Sequence, residues 1–182
     1  WTSDTRYKQV VDAKQYLGKE MGSTVDLRCE MDKYAELKAL IAGTTSFTLA
    51  PGAIELSCYQ SITRTIDTAR NDLGTDKIRT SIAVPDNATA QTICNGFTAG
   101  TTNAYVVHVA EGVNTSARNE FTTLAGRANG CLLAPQTTIV HGTALGLDEF
   151  TKMAAANMRL VWSPKSNLFL YNDTTRIDLA MQ

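Results

Sequence analysis

Two histidines and one glutamate have the residue types and spacing to do chemistry. His108 closes the apolar stretch AYVVH, Glu111 follows three positions later, and His141 closes a second such stretch, TTIVH. A carboxylate beside an imidazole can take a proton from water and pass it to a leaving group. Because the chain has only two histidines, their similar placement indicates one shared site. The alternative is that each is a hydrogen-bonded histidine at a strand–loop junction.

Short β-branched runs alternate with helical periodicity along the chain. The runs predict five strands near residues 45–50, 77–84, 104–109, 137–142 and 158–163. The periodic segments predict helices over 7–21, 32–43, 59–74, 88–100, 116–130, 148–158 and 174–182. The second of these helices is predicted to begin at an N-cap, Asp32, and to stop at Gly43.

This alternation predicts an α/β fold with a parallel sheet, which we expect to form as a single domain over residues 1–182. Neither GxGxxG nor GxxxxGK[ST] occurs in the sequence, so a nucleotide-binding doubly wound sheet has little support. A partial or complete (β/α)8 barrel is the better prediction. In such a barrel the chemistry lies at the C-terminal ends of the strands, where both histidines fall.

Composition excludes several classes of partner. Hydrophobic residues make up 43% of the 182 residues and the net charge is -1, so neither nucleic acid nor an anionic membrane is indicated. No apolar run is long enough to span a bilayer, and the polar N-terminus WTSDTRYKQ has no signal-peptide core. We therefore expect a cytoplasmic location, with an exported form left open.

The four cysteines, Cys29, Cys58, Cys94 and Cys131, are widely separated and form no zinc-finger spacing. We expect most of them to be small core residues. A bridge between Cys58 and Cys94 remains an alternative if the protein is exported.

Several motifs together resemble the amidohydrolase superfamily. They are GTT at residues 43–45, HVAE at 108–111, HG at 141–142 and SPKSN at 163–167, in that order. More narrowly, the sequence is similar to the branch that holds cytosine-, guanine- and adenosine-type deaminases and triazine chlorohydrolases. The match extends over most of residues 32–175 and implies a TIM-like barrel with a divalent metal ion, Zn²⁺ or Fe²⁺.

The resemblance implies a role for each matching residue. His108 matches a metal ligand, Glu111 the carboxylate that shuttles the proton, and His141 a histidine that hydrogen-bonds the metal-bound water or the substrate. Ser163, Ser166 and Asn167 match a loop that shapes the mouth of the active site. Asn167 is expected to organise that loop by hydrogen bonds from its side chain to the backbone, with an ordinary turn residue as the alternative.

The sequence also departs from the family pattern. It contains no HxH pair, which the family carries on its first strand, and no aspartate on a last strand. A GTD occurs at residues 74–76, in a predicted helix-to-strand turn, and we interpret it as a coincidence. Because a catalytic metal normally needs at least three protein ligands, we expect the chain to be an internal piece of an amidohydrolase-like protein, inactive alone. Its open sheet edges would be covered by N-terminal helices or by dimerisation.

Three functions follow as hypotheses. The first is a metal-dependent hydrolase that attacks a C–N or C–Cl centre, with an amino- or halo-heterocycle as the small-molecule substrate. The second is a non-catalytic scaffold or binding protein that keeps the fold but not the metal. The third is a small-molecule-binding α/β domain unrelated to this family.

Overall fold

The computed structural model describes residues 28–48, 63–66, 73 and 76–182. The first described helix, α1 (Arg28–Ile41), begins before Asp32. Asp32 therefore lies inside the helix, and its prediction as the N-cap is wrong. The helix ends two residues before Gly43, whose φ of 93° suits a residue without a Cβ. The helix predicted over 7–21 lies outside the described residues.

A small parallel pair of strands follows this helix. Strand β1 (Ser46–Phe47) pairs with strand β2 (Arg64–Thr65) and forms a two-stranded sheet. The strand predicted near 45–50 is thus present but shorter, and it is not part of the main sheet. The helix predicted over 59–74 is wrong at Arg64 and Thr65, where Thr and Arg alternate in an extended segment.

The main sheet has four parallel strands in the order β3-β4-β5-β6. Its strands and the helices between and after them are β3 (Ile78–Ser81), α2 (Asn87–Ala99), β4 (Ala104–Val109), α3 (Thr115–Gly126), a 3-10 turn (Arg127–Gly130), β5 (Thr137–His141), α4 (Leu147–Ala155), β6 (Arg159–Val161), α5 (Pro164–Tyr171) and α6 (Ile177–Ala180). The four later predicted strands are confirmed, as is the parallel direction of β4 and β5. These elements are a parallel α/β arrangement; closure into a barrel is not shown by the described residues.

One face of this sheet carries the core. Along β4 the buried residues alternate with half-buried ones, so Tyr105, Val107 and Val109 point to the same side. They pack in one cluster with Ile93 and Phe121 from the flanking helices. The apolar run AYVV is therefore fully covered on one face of the sheet only. The other face, which includes His108, is half-buried.

Side-chain caps set where the two helices around β4 begin. Asp86 accepts a hydrogen bond from the Thr89 N–H at 2.7 Å, and Asn114 accepts one from the Ala117 N–H at 2.9 Å. Each cap satisfies an amide that the first helical turn would otherwise leave without a partner. The caps therefore place the segments that return to the N-terminal ends of β4 and β5.

A disulfide joins Cys94 on α2 to Cys131, with Cα atoms 6.1 Å apart. The predicted alternative of a bridge between Cys58 and Cys94 is therefore wrong in its partner. Cys94 is nevertheless buried, as expected for a core residue. Cys131 directly follows the 3-10 turn, so the bond ties α2 to the segment that leads into β5.

None of the described helices combines the length and the apolar character that crossing a membrane would require.

Candidate functional site

His108 and His141 come together at the C-terminal edge of the main sheet. They lie on neighbouring parallel strands, and their ring centroids are 5.1 Å apart with the ring planes at 42°. The prediction that the two rings would be neighbours at this edge is confirmed. The two imidazoles therefore lie side by side at this edge of the sheet.

The backbone of His141 makes this approach possible. His141 is paired with Val109, so regular alternation would direct its side chain to the core face, opposite to His108. Instead, His141 has a φ of 75°, in the left-handed region that residues with a Cβ rarely adopt. The Thr175 hydroxyl donates a hydrogen bond of 2.7 Å to the His141 carbonyl and holds this conformation. Such strain persists only where neighbouring contacts stabilise it.

The His108 ring is oriented by the end of the adjacent strand. Its Nδ1 lies 3.5 Å from the carbonyl oxygen of Ser81. Because a carbonyl can only accept, Nδ1 carries the ring proton and Nε2 keeps its lone pair. Burial lowers the pKa of His108, while the hydrogen bond to Ser81 opposes that shift. His108 is therefore a neutral ring with one nitrogen available as an acceptor or ligand.

Glu111 and His141 form a buried contact, with Nε2 of the histidine 3.4 Å from Oε1 of the glutamate. Exposed fractions are only 5% for His141 and 7% for Glu111. An ion pair would raise the histidine pKa and lower that of the carboxyl. Burial does the opposite to both, lowering the pKa of His141 to about 4 and raising that of Glu111. The contact is therefore one between a neutral imidazole and a carboxyl group.

Glu111 is held close to the ring by the turn that follows β4. Ala110 has a φ of 57°, and its N–H donates to Oε2 of Glu120 at 2.8 Å. Burial is the main cause of the raised pKa of Glu111; the Tyr171 hydroxyl lowers it and the charge of Glu120 raises it further. A carboxyl with a raised pKa is better able to hold and release a proton near neutral pH.

Asn167 contacts His141 directly. Its Nδ2 lies 2.8 Å from Nδ1 of the ring, and its side chain is fully buried. The predicted loop over residues 163–167 is wrong, because Pro164 begins helix α5 and Asn167 lies inside that helix. The predicted hydrogen bonds from Asn167 to backbone are replaced by this side-chain contact. Proline is common at the first helical position and was the available signal.

Sequence reasoning missed Tyr171 and Thr175, which contact Glu111 and His141. Tyr171 follows Asn167 by four residues, so the two lie on the same face of α5. Recognition of the helix would have found this pair. No local signal marks Thr175, whose partner is 34 positions away.

Ser163 and Ser166 do not join the histidines. They line a cavity of about 610 Å³ together with Pro164, Lys165, Phe169 and Leu170. Neither histidine nor Glu111 is among its lining residues. The two serines therefore contribute to a neighbouring surface, and a role at the histidine pair has no contact to support it.

Metal ligands are incomplete in the part of the chain that the structure describes. No three His, Cys, Asp or Glu side chains are grouped there so that they could hold a metal ion. His108 supplies one available imidazole nitrogen, and His141 uses both of its ring nitrogens in contacts with protein groups. The described residues alone thus do not fit a catalytic metal centre, which normally needs at least three protein ligands.

The chain matches no protein-family model and no curated protein. Functional inference therefore depends on the residues and contacts described above.

Proposed function

We propose that this chain carries the proton-transfer part of a hydrolase site of the amidohydrolase type. The observation that supports it is the convergence of His108, Glu111 and His141 at the C-terminal edge of parallel strands. In (β/α)8 enzymes this edge carries the chemistry. The proposal includes a TIM-like barrel, for which the four parallel strands and their intervening helices supply part of the arrangement.

In the proposed reaction Glu111 moves the proton. Its carboxylate accepts a proton from the attacking water. The protonated form donates this proton to an amino leaving group, which departs as ammonia, whereas a halide departs as the anion and the proton passes to solvent. Burial beside His141 raises the pKa of Glu111, which favours both steps near neutral pH. The neutral His141 ring lies with Nε2 3.4 Å from the carboxyl oxygen and helps to orient the carboxyl group. The choice of an amino- or halo-heterocycle rests on the motif resemblance alone.

The proposal assigns His108 to a divalent ion, Zn²⁺ or Fe²⁺, as one ligand through Nε2. The remaining ligands would come from outside the described residues, because those residues form no three-ligand group. The 182-residue chain is accordingly expected to hold a metal weakly. An under-coordinated ion would not lower the pKa of a bound water reliably.

The test compares variants in the complete product of the gene that encodes this chain. Metal content is measured by mass spectrometry, and release of ammonia or halide is followed with a panel of amino- and halo-heterocycles. Glu111→Gln should lower turnover by roughly 10²–10⁴ while metal content is kept, because only proton transfer is removed. His108→Ala should lower metal content itself. Asp148→Asn, which makes the same change of carboxylate to amide at an exposed residue, is the matched control.

Retention of full turnover by Glu111→Gln would contradict the role of the carboxylate. Stoichiometric metal and full turnover in the 182-residue chain alone would contradict the incomplete ligand set.

A second candidate is a non-catalytic small-molecule-binding protein. The observation in its favour is the apolar cavity beside α5, together with the incomplete ligand set of the described residues. Binding of apolar heterocycles that is weakened by Phe169→Ala and unaffected by Glu111→Gln would support this candidate over the hydrolase.

A further inference from the structure

Both ring nitrogens of His141 have a partner, and the partners differ in kind. Nδ1 lies 2.8 Å from the amide nitrogen of Asn167, and Nε2 lies 3.4 Å from a carboxyl oxygen of Glu111. An amide NH₂ group only donates, so Nδ1 must accept. The single proton of the neutral ring is then on Nε2, where it meets an acceptor.

His108 has the opposite arrangement. Its Nδ1 donates to the carbonyl of Ser81, so its lone pair is on Nε2. Two rings whose centroids are 5.1 Å apart therefore present different functions, one a donor and the other an acceptor. The difference comes from the partner of each Nδ1.

We infer that Asn167 is a positioning residue whose side-chain amide fixes the ring proton of His141 on Nε2. In this state His141 acts as a hydrogen-bond donor and has no Nε2 lone pair with which to bind a cation. The catalytic consequence rests on the proposed hydrolase function, since it concerns how Glu111 is oriented. The position of the proton does not rest on that function.

A purely structural role does not explain an amide at this position. The side chain of Asn167 is fully buried, and its Oδ1 has no hydrogen-bond partner among the described residues. An apolar side chain of similar shape would leave no such atom. The buried Oδ1 without a partner costs free energy, which the contact of Nδ2 with the imidazole offsets.

Nitrogen-15 NMR of the metal-free 182-residue chain at pH 7 tests the inference. The chain has two histidines, so a His108→Gln variant assigns both rings. We expect His141 to be protonated on Nε2, with a scalar coupling across the hydrogen bond between Nδ2 of Asn167 and Nδ1 of the ring. The proton position itself is measured on the unaltered chain, and the His108→Gln variant serves only to assign the two rings.

Asn167→Asp replaces the donor by a group that only accepts when ionised. We expect Nδ1 of His141 to become protonated in most of the population, because an ionised carboxylate accepts a hydrogen bond from it and also raises the pKa of the ring. Asn172→Asp is the matched control, because it makes the same change at an exposed residue that caps the same helix. The control should leave the proton on Nε2.

A wild-type His141 ring that carries its proton on Nδ1 would overturn the inference, because the amide oxygen would then face the ring. An unchanged proton position in folded Asn167→Asp would overturn it as well. If Asn167→Asp does not fold, the wild-type spectrum decides alone. Failure of the proposed hydrolase function would show instead as unaltered turnover in Glu111→Gln, with the proton of His141 still on Nε2.

Discussion

Acid should destabilise this protein through His141, and a substitution at this residue should remove the effect. Burial lowers the pKa of His141 to about 4, with the charge of His108 as a second cause, from 6.5 for an ordinary histidine. Between these two values the unfolded chain binds more protons than the folded chain. The free energy of unfolding therefore falls as the pH is lowered through this window.

The size of the effect follows from the two pKa values. One pKa unit corresponds to about 1.4 kcal/mol. Through His141, the free energy of unfolding is therefore lower by about 2 kcal/mol at pH 5 and by about 3 kcal/mol at pH 4 than it is above pH 7. Above pH 7 both states have a neutral ring, and the contribution is constant. The side chain of His141 is almost fully buried, so solvent screening reduces this loss of unfolding free energy little.

Urea unfolding of the metal-free chain and of His141→Gln, measured from pH 7.5 to 4, is the assay. The titrating groups away from this site are shared by both proteins, so the difference between the two curves reports His141 together with its coupling to His108. That difference should shrink toward low pH by the amounts given above. His108→Gln should make this loss smaller, because His108 is a cause of the lowered pKa of His141 and a higher pKa in the folded state ends the loss at a higher pH. A difference that is constant from pH 7.5 to 4 would refute the reasoning.

Three further predictions concern stability. Phe121→Ala should lower the free energy of unfolding in urea by about 3–5 kcal/mol, because Phe121 is buried in the core. The control Thr122→Ala, at an exposed residue, should change this free energy little, and equal losses in the two variants would contradict the packing of Phe121. Reduction of the Cys94–Cys131 bond, which spans 37 positions, should lower the free energy of unfolding by about 2–4 kcal/mol, checked against the oxidised chain. Gly142→Ala should lower the free energy of unfolding by at least about 1–2 kcal/mol, because the φ of Gly142 is 64° and an added Cβ would lie 3.1 Å from Leu160. An unchanged melting temperature of this variant would exclude the left-handed conformation of Gly142.

Local patterns in the sequence were sufficient to locate the main strands and to place both histidines near the strand ends. AYVVHV and TTIVH are β-branched runs, and each histidine falls at or next to the end of its strand. The alternation of strands with helices also predicted the parallel direction of β4 and β5. These features depend on residues close in sequence, where backbone preference and periodicity act directly.

Patterns with weak local signals were misread. Residues 64–65 were predicted as helix because their spacing also suits one, and pairing with β1 made them a strand. The segment that begins at Pro164 is a helix, although the resemblance of SPKSN predicts a loop, and the proline is its helix-start signal.

The site itself was decided by tertiary structure. Strand alternation would have separated the rings of His108 and His141, and only the left-handed backbone of His141, held by Thr175, brings them together. Asn167 reaches the ring from a helix 26 positions further along the chain. The sequence by itself determined which residues could do the chemistry and the strand ends where they lie. Packing decided which of them touch, because contacts between distant segments depend on how the helices cover the sheet and not on the spacing within any one segment.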